Sequence, residues 1–279
     1  MTRLVVQHPR LVDEAVGAFA RAVNAPPALR TPGLARWDDV SIDGARVGEL
    51  AERLGVDAEI VRPDMRLSDF RLAAFDMDST LITIECVDEI ADYVGRKAEV
   101  AAITEAAMRG EIADYDESLR RRVALLAGLP EAMLERVWDE RVRLSPGAER
   151  LVGTLGAAGL RTLLVSGGFT FFTERLKARL GMDFARSNLL EVADGRLTGR
   201  LLGPIVNADG KRRIVEQTCA QLGCTPAQAI VVGDGANDLG MMAIAGLSVA
   251  FHAKPVVRDE TTHAINHCGL DAILNLFEA

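Results

Sequence analysis

The sequence predicts an α/β protein with a doubly wound parallel-sheet core, a helical cap inserted after the first core strand, and a small N-terminal α+β module. Three observations carry that prediction. From Leu72 onward, short apolar runs alternate with longer amphipathic segments, the pattern of βαβ units. Between Ile84 and Leu144 the alternation gives way to helical periodicity alone. The run Phe75-Asp76-Met77-Asp78-Ser79-Thr80 closes the first of the apolar strands with two carboxylates spaced by one residue.

A chain of 279 residues, 49% hydrophobic and 26% charged, is long enough for one large domain with an insertion, or for two to three small ones. Its net charge of −8 argues against a nucleic-acid track or an anionic membrane surface as partner. The triple Arg120-Arg121-Arg122 sits inside a helical pattern rather than in a basic patch. Cys86, Cys219, Cys224 and Cys268 form no Cys-x-x-Cys pair, and no charged-then-apolar leader opens the chain, so a reduced cytoplasmic setting is expected. Apolar stretches break well before the ~20 residues that cross a bilayer. His8, His252, His263 and His267 lack zinc-site spacing and read as surface or structural histidines.

Taken in order, residues 1–70 give a strand at Leu4-Val5-Val6, a helix from Leu11 to Val23, a Pro-rich connector from Ala25 to Arg36, and a second strand-helix-strand from Val40 to Val61. This small module names no function; a regulatory relative and a dimerisation element, hence a homodimer, both stay open. The core, 71–83 and 146–279, has strands at Leu72–Asp76, Arg161–Ser166, Ala229–Gly233 and Leu247–Phe251. Helices fall at Ala148–Ala158, Thr170–Leu180, Lys211–Leu222 and Asp238–Ala245, and Asp194-Gly195 turns a hairpin within Asn188–Ile205. The cap, 84–145, takes helices at Cys86–Val94, Ala98–Arg109, Asp116–Leu126 and Glu131–Val142, and Ser145-Pro146-Gly147 breaks the pattern where the chain re-enters the core.

Chemistry gathers at the strand ends. Residues i and i+2 of an extended chain point to one side, so Asp76 and Asp78 can address a single ligand. Asp76 is placed as a nucleophile toward phosphorus, and Asp78 as the acid that protonates a leaving alkoxide and the base that then activates water. Thr80 can orient this loop. Ser166-Gly167-Gly168-Phe169 runs from a strand into a helix and offers a hydroxyl and free N–H groups to phosphate oxygens, although the same residues also suit an ordinary tight turn. Lys211, at a helix start, can balance phosphoryl charge. Gly233-Asp234-Gly235-Ala236-Asn237-Asp238 ends another apolar strand, where Asp234 can complete a Mg²⁺ site with Asp76 and the main-chain carbonyl of Asp78. Asn237 and Asp238 would orient the metal shell and Lys211.

In this order and spacing, these segments resemble the haloacid dehalogenase superfamily of Mg²⁺-dependent aspartyl phosphotransferases. With Glu85-Cys86-Val87-Asp88-Glu89-Ile90, the similarity is closest to its phosphoserine-hydrolysing branch and covers roughly residues 70–279. The resemblance implies a Rossmann-like core under a helical cap, and hydrolysis of O-phospho-L-serine as the last step of L-serine biosynthesis. It implies Asp76 and Asp78 as catalytic groups, Asp76, Asp78 and Asp234 as metal ligands, and Ser166, Gly167, Lys211 and Asn237 as phosphate contacts or their support, with Asp238. In the cap it implies Glu85 for the substrate ammonium, Arg122 for its carboxylate, and Met108 and Tyr115 as residues closing over it. The alternative is a related phosphatase or phosphotransferase acting on another small phosphomonoester such as phosphohomoserine. The cap segment Met108–Arg122 runs about one residue longer than the common family pattern, around Ile112-Ala113-Asp114.

Overall fold

A computed structural model describes residues 2–109, 111–112 and 114–278, the side chain of Met108 excepted. The expected roles of Met108 and of the cap register at Ala113 therefore lie outside the described residues.

The N-terminal residues form a βαββαβ unit of ferredoxin-like connectivity: β1 (Thr2–Gln7), α1 (Asp13–Val23), β2 (Leu29–Thr31), β3 (Leu34–Val40), α2 (Gly44–Leu54) and β4 (Asp57–Val61). Its sheet runs β2-β3-β1-β4, antiparallel throughout. Alternation along β1 decides which side each residue serves. Leu4 and Val6 pack with Phe19, Trp37 and Leu50 under the two helices, whereas Val5 points the other way and joins the apolar cluster of the main core. The connector expected from Ala25 to Arg36 is corrected here, because it holds β2 and the first residues of β3 as a hairpin. All three residues of β2 are exposed, so no buried face imposed an apolar alternation that could announce a strand.

The core sheet runs β11-β10-β9-β5-β6-β7-β8. Its strands are β5 (Leu72–Phe75), β6 (Arg161–Phe169), β7 (Phe184–Ala193), β8 (Arg196–Leu202), β9 (Ala229–Gly233), β10 (Leu247–Phe251) and β11 (His263–Ile265). All pairings are parallel except β7 with β8, which form the hairpin turned by Asp194-Gly195. Every residue of β5, β9 and β10 is buried, which is why these strands read as unbroken apolar runs. Helices α7 (Ala148–Ala157), α8 (Thr170–Leu180), α9 (Ala208–Gln221), α10 (Leu239–Met242) and α11 (Pro255–Arg258) connect them. The helix expected from Asp238 to Ala245 is shorter, one turn preceded by a tight turn at Ala236–Asp238. Since β5 is first in the core and pairs with β6 on one side and β9 on the other, the strand order reverses at β5, and the crevice there is the ligand position of doubly wound sheets.

Between β5 and α7 the described residues form four helices: α3 (Cys86–Tyr93), α4 (Lys97–Met108), α5 (Tyr115–Ala124) and α6 (Ala132–Arg141). The two chain segments joining them to the core are themselves paired, through the Ile82/Leu144 bridge and the bonds Thr83 N–H to Arg143 O and Ser145 N–H to Leu81 O. Ile90, Val100, Leu119 and Val123 of these helices belong to the same apolar cluster as Phe75 and Phe169, so helices and sheet share one interior. Among the described residues, no helix is long and apolar enough to cross a membrane.

Candidate active site

The crevice is built from the ends of β5, β6 and β9 and the start of α9. Asp76 follows β5 directly, its N–H bonded to Val232 O of β9 at 3.0 Å. The chain then turns sharply: Asp78 is extended and Ser79 is left-handed, with φ +57°. A non-glycine residue there costs of order 1 kcal/mol or more. The Ser79 hydroxyl donates to Glu85 Oε1 at 2.7 Å, so the strained residue aims Glu85 at the crevice. Thr80 Oγ1 donates to Asp234 Oδ1 at 3.3 Å and ties this loop to the end of β9.

Lys211 lies behind Asp76, 1% exposed, with Nζ donating to Asp76 Oδ1 at 2.6 Å and to Asp238 Oδ1 at 2.7 Å. The other oxygen of Asp238 accepts the N–H groups of Asp234 and Gly235 at 3.2 and 3.1 Å. Gly233 permits that approach, since a Cβ there would come within 2.5 Å of Asp238 Oδ2. Carboxylate oxygens of Asp76, Asp234 and Asp238 lie within 4.8 Å of one another, an acidic group able to hold a metal ion. With Asp238 engaged on both oxygens, Asp76 and Asp234 are the side chains left to ligate. The side chain of Asp78 is not in this group.

A cavity of about 90 Å³ is lined by Asp76, Asp78, Ser166, Gly167, Asp234 and Asn237 from the core and by Glu85, Tyr115 and Arg122 from the cap side. Nine residues singled out from sequence thus meet at one place. Lys211, Thr80 and Asp238 support it from behind. Ser166 Oγ accepts the Gly168 N–H at 2.8 Å. The Tyr115 hydroxyl sits against Gly167, in space that any Cβ would fill. A wider opening of about 520 Å³ shares Glu85, Tyr115, Arg122 and Asn237 and leads outward between cap and core.

Negative charge here exceeds its compensation. Burial, then the Asp238 anion, push Asp76 well above the carboxylate range against the pull of Lys211. Burial and the nearby Glu85 push Asp78 up to about 8, and burial with Asp238 pushes Asp234 up to about 7. Burial likewise raises Glu85. Burial alone would lower the Lys211 ammonium, but Asp238 and Asp76 outweigh it and raise it. Asp78 Oδ1 and Arg122 Nε are buried with no hydrogen-bond partner, polar atoms suited to contacts that a ligand would supply. A hard divalent cation fits this oxygen-rich, anion-crowded set.

Sequence reasoning missed Asn188. It is 2% exposed, donates Nδ2 to Gly167 O at 2.7 Å and accepts the Val206 N–H at 2.8 Å, joining the C-terminal end of β6 to the segment before α9. No local pattern marks it, because its partners are 21 and 18 residues away in sequence.

Fold and site together are those of a capped α/β hydrolase with carboxylates at the topological switch point. Residues 73–243 match the model of haloacid dehalogenase-like hydrolases. A phosphoserine phosphatase from Polaromonas is 61% identical over 226 residues, 80% of this chain and 96% of that protein. The crystal structure of a HAD family hydrolase from Salmonella enterica serovar Typhi superposes with a TM-score of 0.88 at 33% identity, covering 100% of this chain and 99% of that one. A probable phosphoserine phosphatase from Vibrio cholerae superposes with a TM-score of 0.83 at 37% identity, over 99% of this chain and 85% of that one. The chain belongs to the haloacid dehalogenase-like hydrolase family.

Proposed function

We propose that the protein hydrolyses O-phospho-L-serine to L-serine and phosphate through an aspartyl-phosphate on Asp76, the last step of L-serine biosynthesis. The observation that carries the substrate is the pairing of Glu85 and Arg122 across one small cavity with Asp76. An amino acid presents an ammonium and a carboxylate, and a carboxylate and a guanidinium are their complements. Relatives named phosphoserine phosphatase support the same reading.

In this reading Lys211 holds Asp76 Oδ1 and orients the carboxylate toward phosphorus. As the Asp76–phosphorus bond forms and the ester bond breaks, Asp78, protonated near neutral pH, gives its proton to the departing serine oxygen. The Asp78 carboxylate then takes a proton from water, which attacks the acyl phosphate and releases phosphate, restoring Asp76. Ser166, Gly167 and Asn237 position phosphoryl oxygens. Asp76, Asp234 and the Asp78 carbonyl would hold Mg²⁺, which when bound neutralises phosphoryl charge. The division into catalytic core, selecting cap and N-terminal module belongs to this proposal.

Phosphate release over a panel of phosphomonoesters, with and without magnesium, tests it. O-phosphoserine is expected to lead the panel and chelator to abolish turnover. Arg122→Ala should lower kcat/KM for phosphoserine at least about ten-fold more than for an aryl phosphate lacking a carboxylate. Equal losses on both substrates would remove the assignment.

A further inference from the structure

The side-chain amide of Asn207 faces two ways. Its Oδ1 accepts the Gly210 N–H at 2.9 Å and caps α9, while its Nδ2 donates to Asp116 Oδ1 on cap helix α5 at 2.8 Å. One turn into α9, the Lys211 N–H donates to the Asn207 carbonyl at 2.8 Å, and Lys211 Nζ holds Asp76. On the cap side Asp116 adjoins Tyr115, whose hydroxyl rests on Gly167. On the core side Asn188 ties Gly167 to Val206, next to Asn207. Neither Asp116 nor Asn207 lines the cavity.

We infer that the Asp116–Asn207 hydrogen bond is a closure latch and that both are positioning residues. It holds α5, with Tyr115 and Arg122, over the cavity, while the same amide fixes the start of the helix that delivers Lys211. An amide is the group suited to both tasks. A carboxylate at 207 would cap the helix equally well but would set an anion against Asp116. Arg120 cannot substitute for the bond, since it lies one turn from Asp116 on α5 itself and their pairing does not join cap to core. The kinetic consequence rests on the proposed hydrolysis of phosphoserine; the structural consequence rests on geometry alone.

Asn207→Asp keeps the capping oxygen and removes the donor. Loss of a hydrogen bond to a charged acceptor is expected to raise KM for O-phosphoserine about ten-fold with a much smaller change in kcat. It should also speed amide hydrogen exchange across α5 in the substrate-free protein. Combining it with Asp116→Asn puts the donor on the cap and the acceptor on the core, and should restore both readouts. A capping role alone would leave Asn207→Asp unaffected, and damage to folding would not be repaired by Asp116→Asn. Wild-type KM and wild-type exchange in Asn207→Asp, or a double variant no better than the single one, would overturn the latch. Should Asn207→Asp fail to fold, Asp116→Ala takes its place, and unchanged KM and exchange there would overturn it equally. If the wild-type protein does not turn over phosphoserine, the substrate reading fails by itself and hydrogen exchange across α5 still decides the latch.

Discussion

Asp76 and Asp78 stand two residues apart, yet their surroundings assign them different work. Asp76 is bonded to Lys211 and belongs to the group of three carboxylates, whereas Asp78 has an unpartnered oxygen over the cavity and faces Glu85. Asp76→Asn keeps the volume and removes the nucleophile, so turnover should fall by more than about a thousand-fold with a native circular dichroism spectrum. Retention of even a tenth of the activity would place the nucleophile elsewhere. The raised carboxyls also set a pH dependence of stability. Asp78 and Asp234 lie near 8 and 7, against about 3.9 when unfolded. A group that binds its proton more tightly in the fold adds stability at pH below its unfolded value, and that contribution is lost as pH rises through the folded values. The metal-free protein should therefore lose melting temperature between about pH 5 and about pH 8, and less so in Asp78→Asn. Added magnesium, which binds the deprotonated carboxylates, should stabilise more at the upper end of that range. A metal-free melting temperature that climbs steadily across it would contradict the crowding of anions.

Elements differ in how far their sequences announce them. Strands β5, β9 and β10 are buried throughout, so composition alone marks them, and Asp76 after β5 and Gly233 at the end of β9 mark where two of them stop. The acidic residues after β5 and β9 were legible for the same reason. Exposed β2 and three-residue β11 carry no such signal, because their existence depends on a neighbour's hydrogen bonds rather than on a buried face. Asn188, Asp116 and Asn207 were hidden likewise, since a short polar side chain looks the same in sequence whether it meets water or a distant helix. Contact between α5 and the C-terminal end of β6 gives a prediction at this scale. Gly167→Ala would force its methyl into the Tyr115 hydroxyl, and should lower kcat/KM by about ten-fold or more by displacing a positioning group. Tyr115→Phe removes that hydroxyl, so the double variant should recover part of the loss. Steady-state kinetics of both variants checks this, and a double variant as impaired as Gly167→Ala would place the damage in the backbone at the end of β6.

At the scale of the whole molecule, the N-terminal module is docked rather than tethered. Val5 and Val61 join the apolar cluster that contains Phe70 and Phe277, and Glu59 accepts the Ala264 N–H at 3.0 Å and pairs with His263 at 2.8 Å. Asp57, 2% exposed, accepts the N–H groups of Asn266, His267 and Cys268 at 2.7 to 3.2 Å. Glu59 thus satisfies a donor on the outer edge of β11, and Asp57 the donors of the turn that follows it, which would otherwise be unpaired. Contacts of this kind make module and core unfold together. Asp57→Asn replaces an acceptor with an amide that cannot receive all three donors, and a buried group left short of partners costs about 1 to 3 kcal/mol, more when the lost group is charged. Calorimetry of the native chain should show one cooperative transition. In Asp57→Asn the transition should move down by several degrees or split in two, with the N-terminal module melting first. Turnover per folded molecule should stay close to that of the native chain, because Asp57 lies on the far side of β11 from the crevice at β5 and is absent from the cavity lining. A variant that melts as the native protein does would show that the apolar contacts of Val5 and Val61 suffice to hold the module, and that the carboxylates only cover the edge.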